Sequence, residues 1–138
     1  MKEALKEASL AFKEDEVPVG AVVVCEGKII ARAHNQTEAL HDVTAHAEML
    51  AITSASNFLG GKYLENCTIY ISLEPCLMCA AALSHARVSK VVWATDDPKM
   101  GFSRMEKQVL HPKTTIMQGL MAEESSQLLK TFFQSKRQ

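Results

Sequence analysis

The sequence predicts an α/β domain in which a mixed β-sheet lies between two layers of helices. Three observations support this fold class. The chain has 138 residues, enough for one layered core and too short for two. Runs of β-branched residues alternate with segments of helical periodicity. The composition is 47% hydrophobic and 22% charged with no low-complexity tract, so we expect a single domain over residues 1–138.

The predicted element order is α-β-β-α-β-α-β-β-α. Its first three elements are a helix and the two strands of a hairpin. Leu5, Ala8 and Phe12 recur at helical spacing and predict an N-terminal helix. Two β-branched runs then flank Glu26 and Gly27, a pair typical of a hairpin turn.

Two internal helices follow, each with a start signal. One is predicted from about Thr44, its N-cap, to Leu59. The other is predicted from Pro75 to about His85, because proline suits the first helical position. The remaining elements are three strands and a last helix: TIYISL, KVVWAT, TTIMQGL and AEESSQLLKTFF. Helices on both sides of the third strand favour crossovers, which predicts a mixed sheet sandwiched by helices.

The N-terminal segment, the lengths of the apolar runs and the cysteines indicate the cellular environment of the protein. The N-terminal segment carries charges every few residues, and no apolar run reaches the roughly 18 residues of a membrane span. We therefore expect a soluble, cytoplasmic protein with no membrane partner. The four cysteines are then not expected to form a disulfide framework. Their arrangement raises the question of metal or redox chemistry: Cys25, Cys67, Cys76 and Cys79.

The net charge of −1 hides an asymmetry. Residues 1–86 carry 6 basic and 11 acidic residues, whereas residues 87–138 carry 9 basic and 5 acidic residues. The small net charge argues weakly against a large nucleic-acid footprint. The basic second half has two readings, ordinary surface scatter or a surface for an acidic partner.

Two segments, TAHAEML and PCLMC, contain the residues that could form a metal site. Cys76 and Cys79 are three residues apart, so on a helix both sulfurs project from the same side. The positive end of a helix dipole favours the thiolate, which is the form that binds metal. Two sulfurs and the His46 imidazole would leave one open zinc position, as in catalytic sites. Glu48 is then predicted to carry protons and not to be a fourth ligand.

Two other readings of these cysteines stay open. A lone C-x-x-C can be a redox pair, although such pairs usually follow the first strand of a βαβ unit. A structural zinc would need a fourth ligand, for which four histidines are available: His34, His41, His85 and His111. Cys25 and Cys67 lie in or beside apolar strands and are expected to be buried without a role in catalysis.

H-x-E followed by P-C-x-x-C is the signature of zinc-dependent nucleobase deaminases. The resemblance extends further, through EVPVGAVVV, the HN pair at 34–35, HDVTAHAE, SLEPCLMCAAAL, DDPKMG, LHP and the closing GLMAEESSQLLKTFFQSKRQ. With these segments the chain resembles bacterial tRNA-specific adenosine deaminases over almost its whole length. The resemblance implies a cytidine deaminase-like three-layer α/β/α fold with a mixed five-stranded sheet, a homodimer, and conversion of a wobble-position adenosine to inosine in a tRNA anticodon.

The resemblance also implies roles for single residues. His46, Cys76 and Cys79 would hold one Zn²⁺ per subunit, and Glu48 would shuttle protons. Asn35 would hydrogen-bond the flipped purine, whose edge the main-chain N–H of Ala47 would help to fix. Five further residues match positions that contact the anticodon stem-loop: Asp97, Lys99, Phe133, Lys136 and Arg137. The chain departs from the family pattern near these contacts at Val43, Asp96, Met100, Phe102 and Gln134.

Two helices have apolar faces that need cover. The segment CLMCAAALSHARV is apolar on almost every side, which a dimer interface or a thick monomer core would explain. In the last helix, the i,i+4 pairs Leu128–Phe132 and Leu129–Phe133 are expected to be core, and only an end residue such as Phe133 could serve a nucleotide.

Two other functions compete with tRNA deamination. The same zinc site could deaminate a free nucleobase or nucleoside of the guanine or cytosine type. The basic second half with its aromatic and basic end favours RNA, because single-strand recognition combines stacking with phosphate contacts. The chain could instead be a silent RNA-binding subunit with structural zinc, but the intact Glu48 argues against that reading.

Overall fold

The computed structural model describes residues 1–137, so Gln138, the last residue of the predicted domain, lies outside the described residues. The elements in chain order are α1 (Lys2–Lys13), β1 (Gly20–Cys25), β2 (Lys28–His34), α2 (Ala47–Leu59), β3 (Cys67–Leu73), α3 (Leu77–Ala86), β4 (Lys90–Thr95), a 3-10 turn (Phe102–Arg104), β5 (Thr115–Gln118) and α4 (Ala122–Lys136). Apart from the short 3-10 turn, this is the predicted order. Within residues 1–137, no helix is both long and apolar enough to cross a membrane.

The five strands form one mixed sheet in the order β2-β1-β3-β4-β5. β1 is antiparallel to both β2 and β3, whereas β3, β4 and β5 run parallel. Glu26 and Gly27 join β1 to β2 with φ values of 51° and 77°. Two positive φ angles suit a tight hairpin turn, which matches the twist of the strands that it connects. The predicted mixed sheet and hairpin are confirmed.

The helices form two layers, one on each face of the sheet. α1 and α4 lie together on one face, where the rings of Phe12 and Phe132 meet edge to face with centroids 5.9 Å apart. α2 and α3 cover the other face, where α2 packs against β1, β2 and α3, and buried alanines of both helices belong to the core. The predicted three-layer α/β/α arrangement is confirmed.

Both internal helices begin later than predicted. α2 begins at Ala47 with His46 as N-cap, because the N–H and hydroxyl of Thr44 both donate to Asp42 Oδ1, at 2.8 and 2.7 Å, in a turn before the helix. α3 begins at Leu77 with Cys76 as N-cap. Pro75 precedes that N-cap, and its carbonyl accepts a hydrogen bond from Phe102 N–H at 3.0 Å instead of one within the helix.

His34, the last residue of β2, joins the sheet to α1 and to the segment after it. Its Nδ1 lies 3.1 Å from Glu7 Oε1, and its Nε2 lies 3.1 Å from a carboxylate oxygen of Glu14. Burial lowers the pKa of the imidazole, but the two carboxylates outweigh burial and hold the pKa above its ordinary value. The protonated imidazole therefore stabilises the fold.

The variant His34→Gln should lower the free energy of unfolding more at about pH 6 than at about pH 8.5. A histidine whose pKa is raised by folding contributes its full stabilisation below the unfolded value of about 6.5 and loses it as the pH rises through the folded value. Urea unfolding of the zinc-loaded wild type and variant at both pH values measures this difference. An equal loss at both values would contradict the assignment.

Candidate active site

The predicted ligands meet at the beginnings of two neighbouring helices. His46 and Cys76 are the N-caps of α2 and α3, and Cys79 lies in the first turn of α3. The ligand atoms of these three residues lie within 4.8 Å of one another. The His46 Nδ1 atom is 3.4 Å from Cys79 Sγ and 3.7 Å from Cys76 Sγ.

These separations fit a tetrahedral zinc site. With Zn–N near 2.05 Å and Zn–S near 2.3 Å, two ligand atoms at the tetrahedral angle lie about 3.6 Å apart. The two observed nitrogen–sulfur distances bracket that value. Because the group has three members among residues 1–137, a tetrahedral ion held by them would keep one position open. The arrangement therefore fits a catalytic zinc better than a four-ligand structural one.

The charges of the ligands also call for a cation. Hydrogen bonds from the Cys79 thiol and from His46 lower the pKa of Cys76 to about 4. The Cys76 thiolate and burial raise the pKa of Cys79. One thiolate therefore opposes the ionisation of the other, and a bound cation removes that opposition. The helix dipoles act in the same direction, since both ligand-bearing helices direct their positive ends at the cluster.

Glu48 lies in the first turn of α2, beside the ligands but outside the group that they form. Its side chain is buried, with 4% of the residue exposed. Burial raises its pKa to about 7, although its own main-chain N–H and the neighbouring His46 oppose the shift. A carboxyl group that titrates near neutral pH can both accept and release a proton there, which is the property that the predicted role requires.

Asn35 holds the start of α2. Its Oδ1 accepts the Ala47 N–H at 2.8 Å, and its Nδ2 donates to the Val17 carbonyl at 3.1 Å. The Ala47 N–H is thus already bonded, and it could fix a purine edge only by exchanging that bond. Asn35 keeps one N–H and one lone pair free for a ligand. The loop that follows Asn35 is anchored by the buried Glu16, whose carboxylate accepts two main-chain N–H groups.

An open cleft of about 560 Å³ brings together most of the residues predicted to contact RNA. Asp97 and Lys99, from the loop after β4, line it opposite Phe133 and Arg137, from the end of α4. Lys136 is on another side of α4, where its ammonium pairs with Asp15 and lies 5.5 Å from the Phe132 ring centroid. The structure thus brings four of the five residues into one cleft.

The family departures fall into three environments. Asp96, Met100 and Gln134 line the same cleft. The ring of Phe102 is buried edge to face against Trp93, with centroids 5.4 Å apart, so Phe102 supports the fold behind the cleft. Val43 is 85% exposed on the loop before His46.

The other cysteines and histidines lie outside the metal group. Cys67 is buried as predicted, and Cys25 lies half-buried opposite it in the sheet. Burial and the Cys25 thiol raise the pKa of Cys67 to about 12, so it is held as a neutral thiol. His85 and His41 are exposed, and His111 accepts the Lys113 N–H.

Sequence reasoning missed the two buried carboxylates, Glu16 and Glu74. Glu16 lies in the acidic segment KEDEVP, and nothing in its one-letter context separates it from a surface residue. Glu74 carries a usable signal, because it stands between the apolar strand segment TIYISL and Pro75, two residues before a predicted metal ligand.

A ligand trio at two helix N-termini, a buried glutamate beside it and a mixed sheet beneath define the class of zinc-dependent deaminases. The family model for the cytidine and deoxycytidylate deaminase zinc-binding region matches residues 1–95. A tRNA-specific adenosine deaminase of Aquifex aeolicus is 46% identical over 142 aligned positions, which cover 99% of this chain and 93% of the relative.

Two solved structures extend the comparison. One, from a study of A-to-I editing by tRNA:A34 deaminases at the wobble position, superimposes with a TM-score of 0.88 at 42% identity, covering 94% of this chain and 97% of that one. A guanine deaminase from Bacillus subtilis has a TM-score of 0.68 at 33% identity, covering 99% and 90%. The chain therefore belongs to the tRNA-specific adenosine deaminases within the cytidine and deoxycytidylate deaminase zinc-binding family, which confirms the resemblance seen in the sequence.

Proposed function

We propose that this protein hydrolyses adenosine to inosine at the wobble position of a tRNA anticodon. One observation carries the proposal beyond family membership: the loop that lines the cleft is joined directly to the metal centre. Gly101, at the end of that loop, pairs in an antiparallel bridge with Cys76. A nucleic-acid chain seated on Asp97 and Lys99 would therefore lie next to the hydrolytic site.

The reaction adds water to adenosine and releases inosine and ammonia. Bound zinc would supply a water molecule activated for attack at neutral pH. The Glu48 carboxylate would take one proton of that water and deliver it to N1 of the purine as the hydroxide adds to C6. It would then take the proton of the new C6 hydroxyl and deliver it to the amino group, which leaves as ammonia and leaves the C6 carbonyl of inosine. The free N–H and lone pair of Asn35 orient the purine edge.

The cleft has the features of a single-strand binding surface. Phe133 is 44% exposed and offers a ring on which a base can stack. Lys99 and Arg137 are exposed at opposite sides of the cleft and can contact phosphates. Because an adenine must leave the anticodon stack to reach a buried carboxylate, the neighbouring nucleotides need such a surface.

We also propose that one domain acts within a homodimer in the cytoplasm. Leu77, Ala81 and His85 lie one turn apart on α3 and form a face that is not fully covered, with Leu77 46% exposed. On the neighbouring helix, Phe58 is 67% exposed. A second copy would cover these apolar groups. A cytoplasmic location suits both the tRNA substrate and the reduced thiolate ligands.

The solution mass of the zinc-loaded protein, measured by light scattering, should be twice that of the chain. Ala81→Glu should shift it toward the monomer because it places a charge in the proposed interface. The control Leu120→Glu, in the exposed turn after the edge strand β5, should leave the mass unchanged. A wild-type monomer at micromolar concentration would contradict the dimer.

The variant Glu48→Gln should retain one zinc per chain and lose turnover by about 10²-fold to 10⁴-fold, the usual contribution of general acid–base catalysis. The matched variant Cys79→Ser should lose both zinc and turnover, since it removes a ligand. Metal analysis and inosine formation are measured on the same samples. A Glu48→Gln enzyme with near wild-type turnover would refute the proton-carrying role.

The substrate is tested with an anticodon stem-loop that carries adenosine at the wobble position, assayed beside free adenine, guanine and cytosine. We expect inosine from the stem-loop alone. Binding of the stem-loop should weaken steeply as the salt concentration rises. Lys99→Ala should make the slope of log K against log salt concentration shallower by about one, which corresponds to one phosphate contact.

Guanine deamination is the second candidate, because the guanine deaminase structure is 33% identical to this chain. The same assay decides between the two. Turnover of guanine without turnover of the stem-loop would support the alternative, and salt should then have little effect.

A further inference from the structure

The strongest unexplained feature is the buried carboxylate of Glu74. Glu74 follows β3 directly, and only 3% of the residue is exposed. Its Oε1 accepts the Asp97 N–H and its Oε2 accepts the Ser103 N–H, each at 3.0 Å. Among residues 1–137, none of the ion pairs involves Glu74. A buried charge without a counter-ion is stable only when hydrogen bonds satisfy it, and here main-chain groups do so.

The two main-chain groups bracket the loop that lines the cleft. Between them, the Asp97 carboxylate accepts the N–H groups of Lys99 and Met100, each at 3.1 Å, and the Asp97 carbonyl accepts the Gly101 N–H at 2.8 Å. Residues 97–103 thus form a compact turn, and the Glu74 carboxylate closes it from inside.

Gly101 allows this close approach. A Cβ atom at this position would lie 2.3 Å from Glu74 Cδ and 2.5 Å from the Asp97 carbonyl oxygen, both well inside van der Waals contact. The same glycine pairs with Cys76. Therefore one side chain, two residues before a metal ligand, determines where the turn sits relative to the metal centre.

We propose that Glu74 is a positioning residue for substrate binding, which holds Asp97 and Lys99 at a fixed place beside the metal centre. The inference rests on the proposed function, since it takes the cleft to be the RNA site. Glu74 itself touches no reacting atom. Its removal should therefore weaken binding of the anticodon stem-loop and spare the chemical step.

Glu74→Gln tests this with little change in shape. The amide nitrogen must face one of the two N–H donors, so one hydrogen bond becomes a repulsive contact. We expect one zinc per chain, a kcat within about twofold of wild type and a KM for the stem-loop raised about tenfold, the effect of losing roughly one good contact. The control Glu106→Gln, at an exposed glutamate in the following segment, should change neither constant.

Amide hydrogen exchange measures the positioning directly. In the zinc-loaded Glu74→Gln protein, the amides of Asp97 and Ser103 should exchange at least about tenfold faster, whereas the core strands keep their protection. Glu16→Gln removes an equally buried carboxylate that also accepts two main-chain N–H groups, and it should leave these two amides unchanged. A purely global loss of stability would instead accelerate exchange throughout the chain.

Several outcomes would overturn the inference: an unchanged KM, a loss of zinc or of kcat with an unchanged KM, or unchanged exchange at Asp97 and Ser103. Gly101→Ala disturbs the same contact from the loop and should give the same KM and exchange effects, so it decides the matter if Glu74→Gln does not fold. If the wild type does not convert the stem-loop, the proposed function fails, whereas the exchange experiment still decides whether Glu74 positions the turn.

Discussion

The active site depends on the direction of two strands. β1 is antiparallel to both of its neighbours, so β2 and β3 run in the same direction and end at the same edge of the sheet. The helix that follows each strand therefore begins at that edge. His46 and Cys76 occupy the same position, the N-cap, in their respective helices. Without this strand order the imidazole and the thiolates would lie at opposite ends of the molecule.

The same geometry prepares the electrostatics. Two helix N-termini directed at one point favour anions there, which supports the Cys76 thiolate, whereas ionisation of Cys79 is opposed until a cation binds. Glu48 in the first turn of α2 experiences the opposing effect of burial, which raises its pKa to about 7. The pKa of Cys76 is thus lowered, whereas the pKa of the neighbouring Glu48 is raised. The candidate metal ligands and the candidate proton carrier thus lie side by side at the starts of two neighbouring helices.

Buried carboxylates organise the two loops around this centre. Glu16 binds main-chain N–H groups of the loop before His46, and Glu74 binds main-chain N–H groups of the loop after β4. Because the anchors use the main chain, they leave side chains such as that of Lys99 available for a substrate.

The sequence allowed the prediction of the elements, the mixed sheet and the grouping of the three candidate metal ligands, because periodicity and ligand spacing are local properties. It misplaced the helix starts by two or three residues. Thr44 and Pro75 are ordinary start signals, but Asp42 engages the first and Phe102 the carbonyl of the second. Lys136 matched a family contact position, yet its pairing with Asp15 depends on how α4 packs near the end of α1. Such long-range contacts leave no local signal.

The charge distribution illustrates the same limit. Residues 1–86 look acidic, but Glu16, Glu48 and Glu74 are buried. Glu3 and Glu7 are also engaged, with Arg32 and His34 respectively. Three of the eleven acidic side chains of residues 1–86 therefore lie inside the molecule.

The basic residues of the second half are mostly at the surface. Lys99, Lys130 and Arg137 are exposed along the cleft. Asp96 and Asp97 also line the cleft, so the lining has three basic and two acidic side chains. Both carboxylates are held by hydrogen bonds, Asp97 to main-chain N–H groups and Asp96 to the Trp93 indole N–H at 2.8 Å. A net charge near zero is thus compatible with a surface that attracts phosphates, because the fold separates the charges that the composition averages.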